Sequence, residues 1–126
     1  MKKIIYASAA PEPIGPYSQA VQVGDFVFVS GQIPIVPETG DIIMGDPSAA
    51  THQVMKNIGA ILEELKLSFA HIVKTSIFLK DMEDFSTVNA AYGSYFSDSF
   101  PARETVEVSR LPKGVEVEIS VIVFAK

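Results

Sequence analysis

The run Val115-Glu116-Val117-Glu118-Ile119-Ser120-Val121-Ile122-Val123-Phe124 constrains this chain more than any other segment. Side chains alternate across a strand, so Val117, Ile119, Val121 and Val123 share one face, and Ile122 and Phe124 stand on the other. A strand apolar on both faces needs cover on both. The cover the rest of the chain can offer therefore decides the architecture.

That cover is two helices. The first is predicted to begin at Asp46-Pro47, with Asp as N-cap and Pro at the first helical position. Val54, Ile58, Ile61, Leu62 and Leu65 then recur at helical spacing and form one apolar stripe. The second is predicted near Asp81, with Asp84 as a partial capping-box analogue and the stripe Phe85, Val88, Tyr92 and Phe96. Between them His71 to Lys80 reads as a central strand, apolar on both sides and so expected to be covered on both.

Earlier in the chain, Val21-Gln22-Val23 and Phe26-Val27-Phe28-Val29 flank Gly24-Asp25 and predict a tight hairpin. The Pro- and Ala-rich stretch from Ala7 to Gln19 suits neither helix nor central strand. Ser30-Gly31-Gln32-Ile33-Pro34 is read as leaving the strand, and Pro37-Glu38-Thr39-Gly40-Asp41 as a turn. The order is ββ(β)αβαββ, an α+β single domain over residues 1–126, with a mixed sheet and both helices on one face. Helices on one face leave the other to a second copy, or to the loops 7–19 and 30–46; oligomerisation is the expectation.

The polar residues near the C-terminus stand in apolar places. Arg103, in Phe100-Pro101-Ala102-Arg103-Glu104-Thr105-Val106-Glu107-Val108, lies where a loop meets a strand. Its guanidinium is a fork of donors suited to holding a carboxylate. If 103–110 and 115–124 form a hairpin around Leu111-Pro112-Lys113-Gly114, Glu107 faces Glu118, Thr105 faces Ser120 and Arg103 faces Ile122. Arg103, Thr105, Glu107, Glu118, Ser120 and Ile122 then share one face, with Glu104 on the opposite one. Two opposed carboxylates would repel unless a cation or a shared proton relieves them; they are either solvated charges beside a water-filled seam, or a carboxylate of raised pKa near an Arg, suited to acid–base work on a small carboxylic acid. Asn89 falls on the second helical stripe, where it is either a helix–loop tether or a ligand contact. Tyr17 on the Gly15-Pro16 turn could lid a pocket or simply pack. Gly31 after Ser30 could let backbone approach a ligand or simply turn the chain.

Other classes are disfavoured. With no Cys, disulfide and thiolate chemistry are excluded. Two His far apart in sequence, His52 and His71, make a metal site an unlikely reading. A net charge of −5 opposes binding to nucleic acid or an anionic membrane. No apolar run reaches spanning length and Met1-Lys2-Lys3-Ile4-Ile5-Tyr6 lacks a secretory h-region, so a cytoplasmic protein is expected.

The chain resembles the RidA (YjgF-type) family of imine deaminases. The shared motifs are Ile14-Gly15-Pro16-Tyr17-Ser18-Gln19, Ser30-Gly31-Gln32-Ile33-Pro34, Val73-Lys74-Thr75, Val88-Asn89-Ala90-Ala91-Tyr92, Phe100-Pro101-Ala102-Arg103, and Val106-Glu107-Val108 through Leu111-Pro112-Lys113 to Glu118-Ile119. The resemblance spans nearly the whole chain. It implies a chorismate-mutase-like fold assembled as a homotrimer with clefts between subunits. It implies hydrolysis of 2-iminobutanoate and 2-iminopropanoate, or the enamine 2-aminoacrylate, to 2-oxo acids and ammonia, without a cofactor, as metabolite damage control. It assigns Arg103 to the substrate carboxylate, Glu118 to the attacking water, and Tyr17, Ser30, Gly31, Asn89 and Thr105 to the pocket. Thr105 stands where many members carry Cys, and Glu104 where they carry a small residue, so Glu104 could compete for the guanidinium. Two rival readings are a noncatalytic small-carboxylate-binding regulatory module on the same trimeric scaffold and an RNA-cleaving translation inhibitor. The negative charge opposes the second.

Overall fold

A computed structural model describes residues 1–126. The strands are β1 (Lys3–Ile5), β2 (Ala20–Val23), β3 (Phe26–Gln32), β4 (Ile72–Leu79), β5 (Ala102–Glu107) and β6 (Val117–Phe124); the helices are α1 (Pro47–Glu64) and α2 (Phe85–Gly93). They build one six-stranded mixed sheet in the order β1-β2-β3-β6-β4-β5.

Local chemistry sets most of these elements where the sequence places them. Asp46 caps α1 by accepting from Ala49 N at 3.0 Å, with Pro47 in the first turn. Val54, Ile58, Ile61 and Leu62 are buried beneath it. Gly24, at φ +59°, makes the tight turn between β2 and β3, whose ends pair as Val23 with Phe26. Asp81 caps a 3-10 turn over Met82–Asp84, and α2 starts only at Phe85; Asp84 makes no capping bond.

The expected C-terminal hairpin does not form. β6 is the centre of the sheet, antiparallel to β3 on one side and to β4 on the other. β5 is the edge strand and runs parallel to β4, which the crossover through α2 makes possible. The end of β4 separates β5 from β6: Val108 N donates to Leu79 O at 2.8 Å and Lys80 N to Glu116 O at 3.1 Å. A strand as apolar as β6 is most stable with both edges and its inner face occupied, and β3 and β4 together supply that.

Both helices lie on one face, over Val117, Ile119, Val121 and Val123 of β6 and Ile77 and Leu79 of β4, all buried in a single 21-residue core. The other face stays open. Ile4 is 54% exposed, Phe26 44%, Phe28 43% and Val106 41%, so the loops 7–19 and 30–46 do not cover it. β4 alternates accordingly: Thr75, Ile77 and Leu79 are buried, whereas Ser76 and Phe78 on its other side are half-exposed. Its expected cover on both sides is absent within the chain.

Candidate active site

The strand order re-sorts the polar residues. Across β5, β4 and β6, Arg103 lies level with Thr75 and Val121, whereas Val106 lies level with Phe78 and Glu118. Val121 belongs to the buried face, and Glu118, three residues away, belongs to the open one. Arg103, Thr105 and Glu107 therefore stand on the helix side, and Glu118, Ser120 and Ile122 on the open side. The expected shared face is wrong, and so is the opposition of Glu107 and Glu118. Glu107 instead accepts from Met82 N at 2.8 Å.

The predicted site residues fall into two groups. The first surrounds Glu118. The register of β3 breaks between Val29 and Gln32, so Ser30 and Gly31 sit inside the strand at an irregularity and do not end it. Ser30 N donates to Gln19 O at 2.9 Å and Ser30 Oγ to Ser18 O at 2.6 Å, which ties this irregularity to the Tyr17 turn. Tyr17 is held in turn by its own amide bonding to Gly15 O and by Ile14 N donating to its hydroxyl at 3.2 Å. Tyr17, Gly31 and Glu118 line one cleft with Ile14, Ile33 and Pro112. Gly31 leaves room for the Glu118 carboxyl arm: a Cβ on it would lie 2.7 Å from Glu118 Cδ and 3.0 Å from Cγ, so the arm would have to move. The Glu118 side chain thus lies directly against the β3 backbone.

Burial pushes the Glu118 carboxyl above its ordinary value. Its folded-state pKa exceeds the unfolded one, so folding favours the protonated form. The stabilisation is complete below the unfolded value and is lost as pH rises through the raised folded value. As pH rises from below the ordinary glutamate range, the parent is therefore expected to lose urea stability relative to Glu118→Gln; parallel midpoints would contradict the burial account.

The second group surrounds Arg103. Asn89 of α2 lines a cleft with Tyr92, Phe100, Pro101 and Arg103. It is half-buried at the cleft wall. The ion pairs of the chain are Lys74–Glu104 and Lys126–Asp25, so no acid neutralises Arg103. Thr105, two positions along the same face, has a buried Oγ1 with no hydrogen-bond partner.

Glu104 does not compete for the guanidinium. It points to the face opposite Arg103, where Lys74 Nζ lies 3.0 Å from it and Ser76 Oγ donates to it. Those two partners hold its carboxyl below the ordinary value, Ser76 first. Glu104→Gln is expected to change the affinity for 2-oxobutanoate by less than about twofold in a calorimetric titration, given that Coulombic effects between separated exposed groups are screened.

Sequence reasoning placed Phe85 and Tyr92 in the second helical stripe and missed that they flank Arg103. It also missed Ile14 and Pro112 beside Glu118. The spacing of Phe85 and Tyr92 on one side of α2 carried the first signal.

A model of the family described as endoribonuclease L-PSP matches residues 7–125. A RutC family protein of Pyrococcus abyssi is 53% identical over 123 residues, covering 98% of this chain and 97% of its own. The 2-iminobutanoate/2-iminopropanoate deaminase of Salmonella typhimurium is 48% identical over 125 residues, covering 97% of each. Among solved structures, the YjgF gene product of E. coli matches with a TM-score of 0.93 at 45% identity, over 98% of this chain and 99% of that one.

Proposed function

The chain belongs to the RidA/YjgF family, whose model is described as endoribonuclease L-PSP, and from that premise we propose that it hydrolyses 2-imino acids and their enamine tautomers to 2-oxo acids and ammonia. One observation carries the reading. A guanidinium that no acid of the chain neutralises and a half-buried carboxyl face opposite sides of one sheet. One chain cannot bring both onto a small ligand. Two copies can, if the open apolar face of one meets the neighbour's β5 edge. We assign the assembly as a homotrimer, a closed ring in which each cleft takes Arg103 and Asn89 from one copy and Tyr17, Ser30, Gly31 and Glu118 from the next.

The chemistry uses those parts directly. Arg103 holds the substrate carboxylate in its fork. A protonated imine is already electrophilic at C2, and ionised Glu118 takes a proton from water as its oxygen bonds to C2. The same proton passes to nitrogen; Glu118, ionised again, takes the remaining hydroxyl proton as the C–N bond breaks, so the C2=O bond forms, ammonia leaves, and that last proton passes from Glu118 to the departing ammonia. The Salmonella relative is named for this reaction. The RNA chemistry in the family description is opposed here by a net charge of −5.

The test couples this protein to a threonine dehydratase and follows 2-oxobutanoate in a buffer that suppresses free hydrolysis. Acceleration at micromolar protein is expected. Its absence overturns the deaminase reading, and 2-oxobutanoate binding without turnover would assign the same cleft to a noncatalytic carboxylate-binding module.

A further inference from the structure

No acid of the chain pairs with Arg103. Two aromatic rings hold it instead. Its Cζ lies 5.4 Å from the centroid of Tyr92 and 5.8 Å from that of Phe85, both inside the range of cation–π attraction. Phe85 and Tyr92 are two helical turns apart in α2 and so present their rings on one side. Tyr92 is 3% exposed, and its hydroxyl donates to the buried Thr75 Oγ1 at 2.8 Å. Thr75 is itself the register partner of Arg103 across β4 and β5. The strand pair that carries the guanidinium therefore also pins the ring beneath it.

We propose that Tyr92, assisted by Phe85, is a positioning residue: an aromatic shelf that orients the Arg103 guanidinium for a carboxylate ligand without neutralising it. This rests on the carboxylate-clamp role assigned to Arg103 above. A ring attracts the cation through its face, whereas the guanidinium donates hydrogen bonds in its own plane. The shelf and the ligand therefore do not compete. An Asp or Glu in the same place would occupy the fork that the ligand needs. The shelf also stays uncharged: burial raises the Tyr92 phenol more than its Thr75 bond and the nearby Arg103 lower it.

The test compares two ligands, 2-oxobutanoate and its uncharged amide 2-oxobutanamide, by calorimetry on the parent and on variants. The parent is expected to prefer the acid, and Arg103→Ala to abolish that preference. Tyr92→Leu removes the ring and is expected to cut the acid-over-amide ratio roughly tenfold. Tyr92→Phe keeps the ring, loses only the Thr75 bond, and is expected to retain most of the ratio. A purely structural role for Tyr92 would weaken both ligands alike and leave the ratio at the parent value, which overturns the proposal. Where Tyr92→Leu fails to fold, Phe85→Leu carries the same test at a position 36% exposed. If the parent itself shows no preference for the acid, the clamp reading falls and the shelf with it. If Arg103→Ala abolishes the preference while Tyr92→Leu and Phe85→Leu leave it unchanged, only the shelf is wrong.

Discussion

Arg103→Ala is expected to lower kcat/KM for 2-iminobutanoate on the order of 10²–10³-fold, since truncating one partner of a desolvated, hydrogen-bonded charge pair costs about 2–5 kcal/mol. The size follows from what surrounds the guanidinium. No second cation lines the cleft with Asn89, Tyr92, Phe100 and Pro101, so nothing there inherits the carboxylate. The fall should be largely in KM, because the carboxylate is held in ground and transition states alike. Arg103→Lys keeps the charge and loses the planar fork, and should recover only part of the loss. Stability should change little, since Arg103 makes no ion pair within the chain. Initial rates in the coupled dehydratase assay, with urea midpoints for the same proteins, check both halves; a variant as fast as the parent would remove Arg103 from the mechanism.

Gly31→Ala should have the second largest effect, through a different route. The added Cβ would enter space that the Glu118 side chain occupies, 2.7 Å from its Cδ. The β3 backbone is paired to β6 and tied to Gln19, so it is the flexible carboxylate arm that yields. Glu118 is then displaced from its place beside Tyr17, and the water it should deprotonate loses its base. General-base assistance is typically worth ~10²–10⁴-fold, so kcat should fall within that range and approach the value for Glu118→Gln. Affinity for 2-oxobutanoate, governed by Arg103, should fall much less. A Gly31→Ala protein with parental kcat would show that the Glu118 carboxylate works from another position.

The sequence made the helices legible because their signals are local. The Asp46-Pro47 start and the stripe from Val54 to Leu62 specify α1 without reference to the rest of the chain. Gly24-Asp25 does the same for the β2–β3 hairpin. The C-terminal strands were misread because a Pro-Lys-Gly turn between two β-rich runs resembles a hairpin loop. Lys113 and Gly114 do adopt positive φ there, yet the connection carries the chain past β4. Two non-local features pointed the other way: the β4-α2-β5 order favours a parallel crossover, and a strand apolar on both faces belongs at a sheet centre.

The same error reached the site. Arg103 and Glu118 were singled out by chemistry that local sequence displays, a fork of donors and a carboxylate in apolar company. Their supposed common face came from a register that does not exist. With the register corrected, Arg103 and Glu118 lie on opposite sides of the sheet, and Phe26 and Phe28 are exposed on the side of Glu118. Strand alternation alone set Glu104 on the face opposite Arg103, and the β4–β5 pairing adds its partners, Lys74 and Ser76. Tyr92 escaped notice because a buried aromatic in a helical stripe reads as core, and only the pairing of Thr75 with Arg103 sets that ring beneath a cation.

The division of the site between copies can be measured directly by mixing two inactive variants. Arg103→Ala chains retain Glu118, and Glu118→Gln chains retain Arg103. Unfolded together in equal amounts and refolded, they form rings in which some clefts receive the intact residue from each neighbour. With substrate held well below the parent KM, random assembly into a closed ring should restore roughly a quarter of the parent activity, while each variant refolded alone stays at or below about a hundredth of it. Mixed assemblies, verified by mass, that show no activity above the separate variants would contradict a site built from two copies of this chain.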